Sequence, residues 1–229
     1  MKKVLLWIAL SLILLAGATA GYLYVFTQKA CKISEGRPVV QTSQPRAAIM
    51  VIDIQEGITG KISNLEAYKI LADSLIYNVN IITAAAACNE IPIVYIRSEV
   101  SDVIINLLNS SMKKGSQGVA LDKRLNVSGN HIFSKQKNDA FSNPELDSFL
   151  IKNGINQLYI TGLDAAKCVN STIMAAQNRG YNIVVIDEAV VADDKMIKEQ
   201  KIKEFKETGI KVISLNEFLN IMAGCCTQS

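Results

Sequence analysis

Residues 4–26 form a run of 23 positions without a single charge, opened by Met1-Lys2-Lys3. At ~1.5 Å per residue a helix of that length reaches ~34 Å, enough to cross a hydrocarbon core of ~30 Å. Trp7 near one end and Tyr22 and Tyr24 near the other stand where an aromatic belt places them. The pattern predicts an N-terminal transmembrane helix, a membrane anchor over 1–27. A cleaved secretory signal fits the same start, with Ala18-Thr19-Ala20 as its small-residue site. The retained anchor is favoured because the apolar run continues past that site through Phe26. Lys2 and Lys3 favour a cytoplasmic N-terminus, while Lys29, Lys32 and Arg37 on the far side oppose it. On balance the globular part is expected outside the cytoplasm. Residues 28–45 are polar and patternless and read as a tether.

From residue 46 to 229 the period changes. Short apolar runs alternate with longer stretches of helical spacing, the pattern of one compact domain. Ala47-Ala48-Ile49-Met50-Val51-Ile52 is continuously apolar and stops at Asp53, as a strand buried on both faces does. A helix over 65–88, capped by Asn64, precedes a second strand at 93–96. A short helix over 103–112 is followed by a loop holding Gly115 and Gly118. Residues 131–134 form a third strand that delivers Lys135. Proline at the first position opens a helix from Pro144 to about 153. A fourth strand at 157–161 stops at Gly162, and a helix from Cys168 ends before Gly180. A strand over 182–186 ends at Asp187. A charged helix over 193–207, a strand at 211–213 and a helix over 215–222 complete the chain. This alternation predicts an α/β fold: a three-layer α/β/α sandwich around a six-stranded, mostly parallel sheet.

Composition removes several functions. Lysine and arginine number 24 against 21 acidic residues, a net charge of +3, so there is no electrostatic footprint for nucleic acid. One histidine, His131, excludes a zinc site built on two. Five cysteines do not make a disulfide framework. The mean hydropathy of +0.21 comes largely from the N-terminal run. No glycine-rich phosphate loop follows any strand.

In a parallel sheet, functional groups gather at the carboxyl ends of the strands. Asp53, Lys135 and Cys168 all fall there, which puts an acid, a base and a thiol on one rim. Their chemistry suits attack on a carbonyl. The thiolate is the nucleophile, a helix N-terminus and an ammonium lower the thiol pKa, and a carboxylate can take the proton. Backbone N–H groups between Gly162 and Cys168 can receive an oxyanion. Close backbone approach in that turn accounts for Gly162. Taken singly, each residue has a plainer role: Asp53 as a loop carboxylate, Lys135 as a solvated lysine, Cys168 as a buried thiol.

Together with their surroundings the three residues acquire a pattern. Val51-Ile52-Asp53-Ile54-Gln55, Lys135 six residues before Phe141, and Thr161-Gly162-Leu163-Asp164-Ala165-Ala166-Lys167-Cys168-Val169 resemble the motifs of the isochorismatase-like cysteine hydrolases. That family includes nicotinamidases and N-carbamoylsarcosine amidase. The resemblance covers about 46–213. It implies Asp53, Lys135 and Cys168 as the catalytic set, a cis Leu163–Asp164 peptide, and the N–H groups of Asp164 and Cys168 as oxyanion donors. It also implies a homo-oligomer.

Two departures narrow the chemistry. Nicotinamidases of the family hold a metal through an aspartate and histidines after the first motif, whereas this chain has Gly57-Ile58-Thr59-Gly60 there. Isochorismatases proper cleave a vinyl ether without a cysteine nucleophile. The expectation is a membrane-anchored amide or carbamoyl hydrolase acting on a small molecule, with no metal, no cofactor and no nucleic-acid partner. Gln55, Arg97 and Phe141 are candidate substrate-binding residues, Arg97 for a substrate carboxylate. Asp164 stands where a small or apolar residue is usual, and either tunes substrate choice or disturbs the turn. The alternative is an inactive, membrane-tethered binding or scaffold module of the same fold. Cys225 and Cys226 read as a frayed tail, or as a lipidation or redox site.

Overall fold

The computed structural model describes residues 2–226, with side chains to residue 223; the thiols of Cys225 and Cys226 lie outside the described residues. Six strands form one sheet in the order β3-β2-β1-β4-β5-β6, every described pair parallel. They are β1 (Ala47–Ile52), β2 (Ile93–Ser98), β3 (Ile132–Lys135), β4 (Gln157–Leu163), β5 (Asn182–Val191) and β6 (Lys211–Ile213). The helices are α1 (Lys2–Ala30), α2 (Glu66–Cys88), α3 (Val103–Leu108), α4 (Pro144–Lys152), α5 (Cys168–Asn178), α6 (Lys195–Glu207) and α7 (Leu215–Cys226).

Alternation along each strand divides the core in two. Ala48, Met50 and Ile52 of β1 face one layer with Leu146 of α4, Val169 and Ile173 of α5, and Phe205 of α6. Ile49 and Val51 face the other, with Leu75 and Val79 of α2 and Phe218 of α7. The α/β/α sandwich is thus the fold the period change predicts. Strand order reverses between β1 and β4, the switch point at whose carboxyl ends open α/β sheets place their functional groups.

Several boundaries differ from the sequence expectation. The α2 helix starts at Glu66 with Leu65 as its first flanking residue, and no side chain caps it. Asn64 is not the cap; the Ser63 hydroxyl accepts the Leu65 N–H at 3.0 Å instead. The α3 helix ends at Leu108 rather than 112, because Asn109 turns to an extended conformation. Its start is capped by Asp102, which accepts from the N–H groups of Ile104 and Ile105. β5 continues past Asp187 to Val191, pairing with Gly162 and Leu163 beyond a bulge in β5 itself.

Residues 31–42 are a docked strap rather than a free tether. The Ser34 N–H donates to Asp139 at 2.8 Å, and the Val39 N–H to the Arg179 carbonyl at 2.8 Å. Buried Arg179 donates to the carbonyls of Ser34 and Glu35. It also pairs with Asp147 at 3.1 Å and stacks 4.6 Å from the Phe141 ring.

Two described helices are long and apolar enough to cross a membrane. α2 buries Tyr68, Leu75 and Val79 against the sheet, so it belongs to the core. α1 has no buried residue. Only a stripe at helical spacing, Thr19, Tyr22, Phe26 and Ala30, is partly covered.

Candidate active site

Asp53 follows directly on β1, takes a left-handed φ of 58° and donates its N–H to the Ile96 carbonyl. This aims a buried carboxylate across the ends of β2 and β3. Lys135 closes β3, fully buried, with Nζ 2.9 Å from Asp53 Oδ2 and 3.2 Å from Cys168 Sγ. Cys168 opens α5 just beyond β4. The three residues singled out by strand-end position therefore meet around one ammonium.

Burial and the Asp53 carboxylate push the Cys168 thiol up to about 12, against the lowering effect of Lys135. This reverses the expectation of a depressed thiol pKa: in the resting site the sulfur keeps its proton. Burial alone would lower the Lys135 ammonium, but Asp53 and Cys168 outweigh it, and its pKa lies above the ordinary lysine value. The ensemble is a neutral thiol beside an ammonium–carboxylate pair.

The turn from Gly162 to Cys168 is built for close approach. Gly162 has φ of 110°, and a Cβ there would sit 2.1 Å from the Ile52 carbonyl oxygen. The Leu163–Asp164 peptide is cis. Asp164 spends its carboxylate on Tyr68 Oη at 2.9 Å, Ala166 N–H at 2.7 Å and Asp193 N–H at 3.0 Å. Its side chain thus staples the turn to α2 and to the start of α6. The backbone N–H groups of Asp164 and Cys168 donate to no acceptor among the described residues.

Ser98 is a site residue that the sequence reading missed. Its hydroxyl donates to Asp53 Oδ1 at 3.0 Å and accepts from Lys135 Nζ at 2.7 Å. β2 runs two residues past 96, and Ser98 lies in register with Lys135 on the same face. Arg97, the residue proposed for that rim, points to the opposite face by strand alternation and donates to Ser134 Oγ at 2.8 Å. Strand parity separates the two: Ser98 shares a face with Val94 and Ile96, Arg97 with Ile93 and Tyr95.

The other two candidates also resolve into positioning and packing. Gln55 Nε2 donates to the carbonyls of Ser98 and Val119, and its Oε1 accepts the Ser98 N–H at 2.7 Å. Both amide hydrogens are used, so Gln55 fixes Ser98 instead of holding a ligand. Phe141 is buried in the core against Tyr181, with ring centroids 5.5 Å apart, and does not line the site. Asn138 was not anticipated; its Oδ1 lies 4.0 Å from Cys168 Sγ, and its N–H donates to the Ala30 carbonyl.

The donor set of a metal-dependent nicotinamidase is not assembled. Beyond Asp53, the nearby carboxylate Asp122 is taken by Arg124 at 2.6 Å and Thr59 at 2.7 Å. His131 stacks on Phe149 at 4.4 Å. Among the described residues no three histidine, cysteine or acidic side chains converge.

Comparison with known proteins gives this geometry relatives. The isochorismatase domain model matches residues 47–217. A protein of Arabidopsis thaliana named "probable inactive nicotinamidase" is 30% identical over 113 residues, 48% of this chain and 58% of that protein. The chain therefore spans just over half the length of that relative. An isochorismatase-like hydrolase from Alkaliphilus metalliredigens shares the fold, with a TM-score of 0.68 at 20% identity, covering 77% of this chain and 98% of that one. The N-carbamoylsarcosine amidase of Thermoplasma acidophilum superposes with a TM-score of 0.62 at 25% identity, covering 74% and 96%.

Proposed function

The chain belongs to the isochorismatase family, and on that premise we propose that it is a membrane-anchored cysteine hydrolase that cleaves the C–N bond of a small amide or carbamoyl compound. Cys168 is the nucleophile, Asp53 the general base and Lys135 the charge that holds them together. The observation that carries this reading is the contact of Lys135 Nζ with both Asp53 and Cys168, beside two unpaired backbone N–H groups.

The chemistry follows from the protonation state. As Cys168 Sγ bonds to the carbonyl carbon, its proton passes to Asp53, so no free thiolate accumulates beforehand. Lys135 stabilises negative charge on the sulfur as it develops. The substrate oxygen becomes an oxyanion facing the N–H groups of Asp164 and Cys168, donors worth ~3–4 kcal/mol each in other acyl-transfer enzymes. When the C–N bond breaks, the proton held by Asp53 leaves with ammonia or the amine. Water then attacks the thioester, again giving its proton to Asp53. Collapse returns that proton to the sulfur and releases the acid.

The test is release of ammonia or amine from a panel of primary amides and N-carbamoyl compounds by the full chain in vesicles. Cys168→Ala is expected to abolish turnover. Asp53→Asn is expected to lower kcat by about 10²–10⁴-fold, the usual contribution of a positioned base. Turnover that survives Cys168→Ala overturns the assignment.

A tethered module without turnover is the second reading, supported by the word "inactive" in the name of the Arabidopsis relative. Asp164 lends it no weight, because all its side-chain bonds stabilise the turn and leave both N–H groups open.

A further inference from the structure

Outside α1, exposed apolar residues are densest in one short element. Of the six residues of α3, Val103, Ile104, Leu107 and Leu108 are all exposed, Val103 by 80% and Leu107 by 85%. No residue of α3 is buried. Large aliphatic side chains held this far from a core, on a helix with its own aspartate cap, are a surface awaiting an apolar neighbour.

The position of α3 identifies that neighbour. Asp102, its cap, accepts a hydrogen bond from the Tyr22 hydroxyl of α1. Tyr22 lies four residues before Phe26, the end of the uncharged run. At ~1.5 Å per residue, α3 is thus joined to the anchor ~6 Å inside the end of its membrane-crossing stretch. That depth matches the ~5–10 Å by which interfacial helices sink into a bilayer. Charges at the same level fit a lipid surface: Lys29 and Lys137 line the space beside the end of the uncharged run.

The same level adjoins the Cys168 site through Asn138. A cleft of about 350 Å³ runs between the end of α1 and the loops 100–102 and 136–137, lined in part by Phe26, Ala30, Val100 and Asp102. Next to Lys137, Asn138 touches both the Ala30 carbonyl and the Cys168 thiol. Ser98, which holds Asp53 and Lys135, lies two residues before Val100.

We infer that α3 is seated in the bilayer interface beside the anchor, so that the mouth of the Cys168 site opens at the lipid surface and admits amides partitioned into it. The inference rests on α1 being a retained anchor, and its test separates the two. The native chain has one tryptophan, Trp7, inside α1. The full chain is placed in vesicles of phosphatidylcholine and phosphatidylglycerol whose acyl chains are brominated, in separate preparations, near the headgroup or near the terminal methyl. In the native chain, quenching of Trp7 reports the anchor. Leu107→Trp and Ile151→Trp, each in a Trp7→Phe background, report α3 and the end of α4, away from the catalytic rim. The expected result for Leu107→Trp is a blue-shifted emission, quenched most by bromine near the headgroup; for Ile151→Trp it is an emission that bromine leaves unchanged. A quenched Trp7 with an unquenched indole at position 107 overturns the seating of α3 and leaves the anchor in place. A blue-shifted but unquenched emission from Leu107→Trp overturns it in favour of a protein neighbour. An unquenched Trp7 removes the anchor and the inference together.

Discussion

In the proposed mechanism, a thiol that keeps its proton between a carboxylate and an ammonium is activated by proton transfer during attack, not by prior ionisation. Two opposed substitutions report this. In native protein, alkylation of Cys168 by iodoacetamide is expected to stay slow at neutral pH and to rise only toward about 12. Asp53→Asn removes a charge that raises the thiol pKa and should bring the midpoint down by about 1–3 units. Lys135→Ala removes the charge that lowers it and should move the midpoint further up. Peptide mass spectrometry against pH reads all three. An ordinary midpoint near ~8.5, indifferent to both changes, would mean the thiol is not coupled to its neighbours. The same shift links to stability. From ~8.5, where an unfolded thiol ionises, to about 12, the native chain holds a proton that the unfolded chain gives up. Stability should therefore fall across that window, and fall less in Cys168→Ala, as urea midpoints at successive pH values will show. At Gly162, alanine would put a Cβ against the Ile52 carbonyl at a left-handed φ. The expected cost is about 2 kcal/mol or more, read from the same urea midpoints.

Elements were legible where one period was sustained, and less so where tertiary contacts set the ends. β1 could be read because a buried parallel strand is apolar at every position and stops at a charge. The end of β2 was lost because Arg97 and Ser98 look like loop residues, and only pairing with β3 keeps them in the strand. That two-residue shortfall is why Arg97 entered the candidate list and Ser98 did not. β5 was cut short at Asp187 for a related reason. Its continuation depends on a bulge of extra residues in β5 opposite Ile160 to Gly162, which leaves no local mark in the sequence. The strap was illegible because its order comes from side chains distant in sequence, Arg179, Asp139 and Asn156. Arg179 offers its guanidinium to two strap carbonyls, to Asp147 and to the Phe141 ring. Arg179→Ala is expected to cost about 3 kcal/mol, as loss of one partner of a buried ion pair does. It should also free the strap, so that limited trypsin digestion cuts after Lys32 faster than in native protein. An unchanged cleavage rate would show that the strap is held by its other contacts.

At the scale of the whole molecule, the N-terminal helix, the strap and the rim that holds Cys168 are joined end to end. α1 meets the rim through Tyr22 and Asp102 and through Ala30 and Asn138, and the strap then crosses to Arg179. A retained anchor predicts that protein extracted from membranes has the mass of the uncleaved chain, 25.0 kDa. It also predicts that alkaline carbonate leaves the protein in the membrane pellet. A chain shortened after Ala20 and released by carbonate would identify the run as a signal sequence. The catalytic assignment has its own decisive measurement, the mass of the Cys168 peptide after acid quench of the full chain turning over an amide panel in vesicles. The account predicts an acyl group on Cys168, matched by release of ammonia or amine, with both lost in Cys168→Ala and greatly slowed in Asp53→Asn. No adduct and no release across the panel, or release that persists without the thiol, would contradict it.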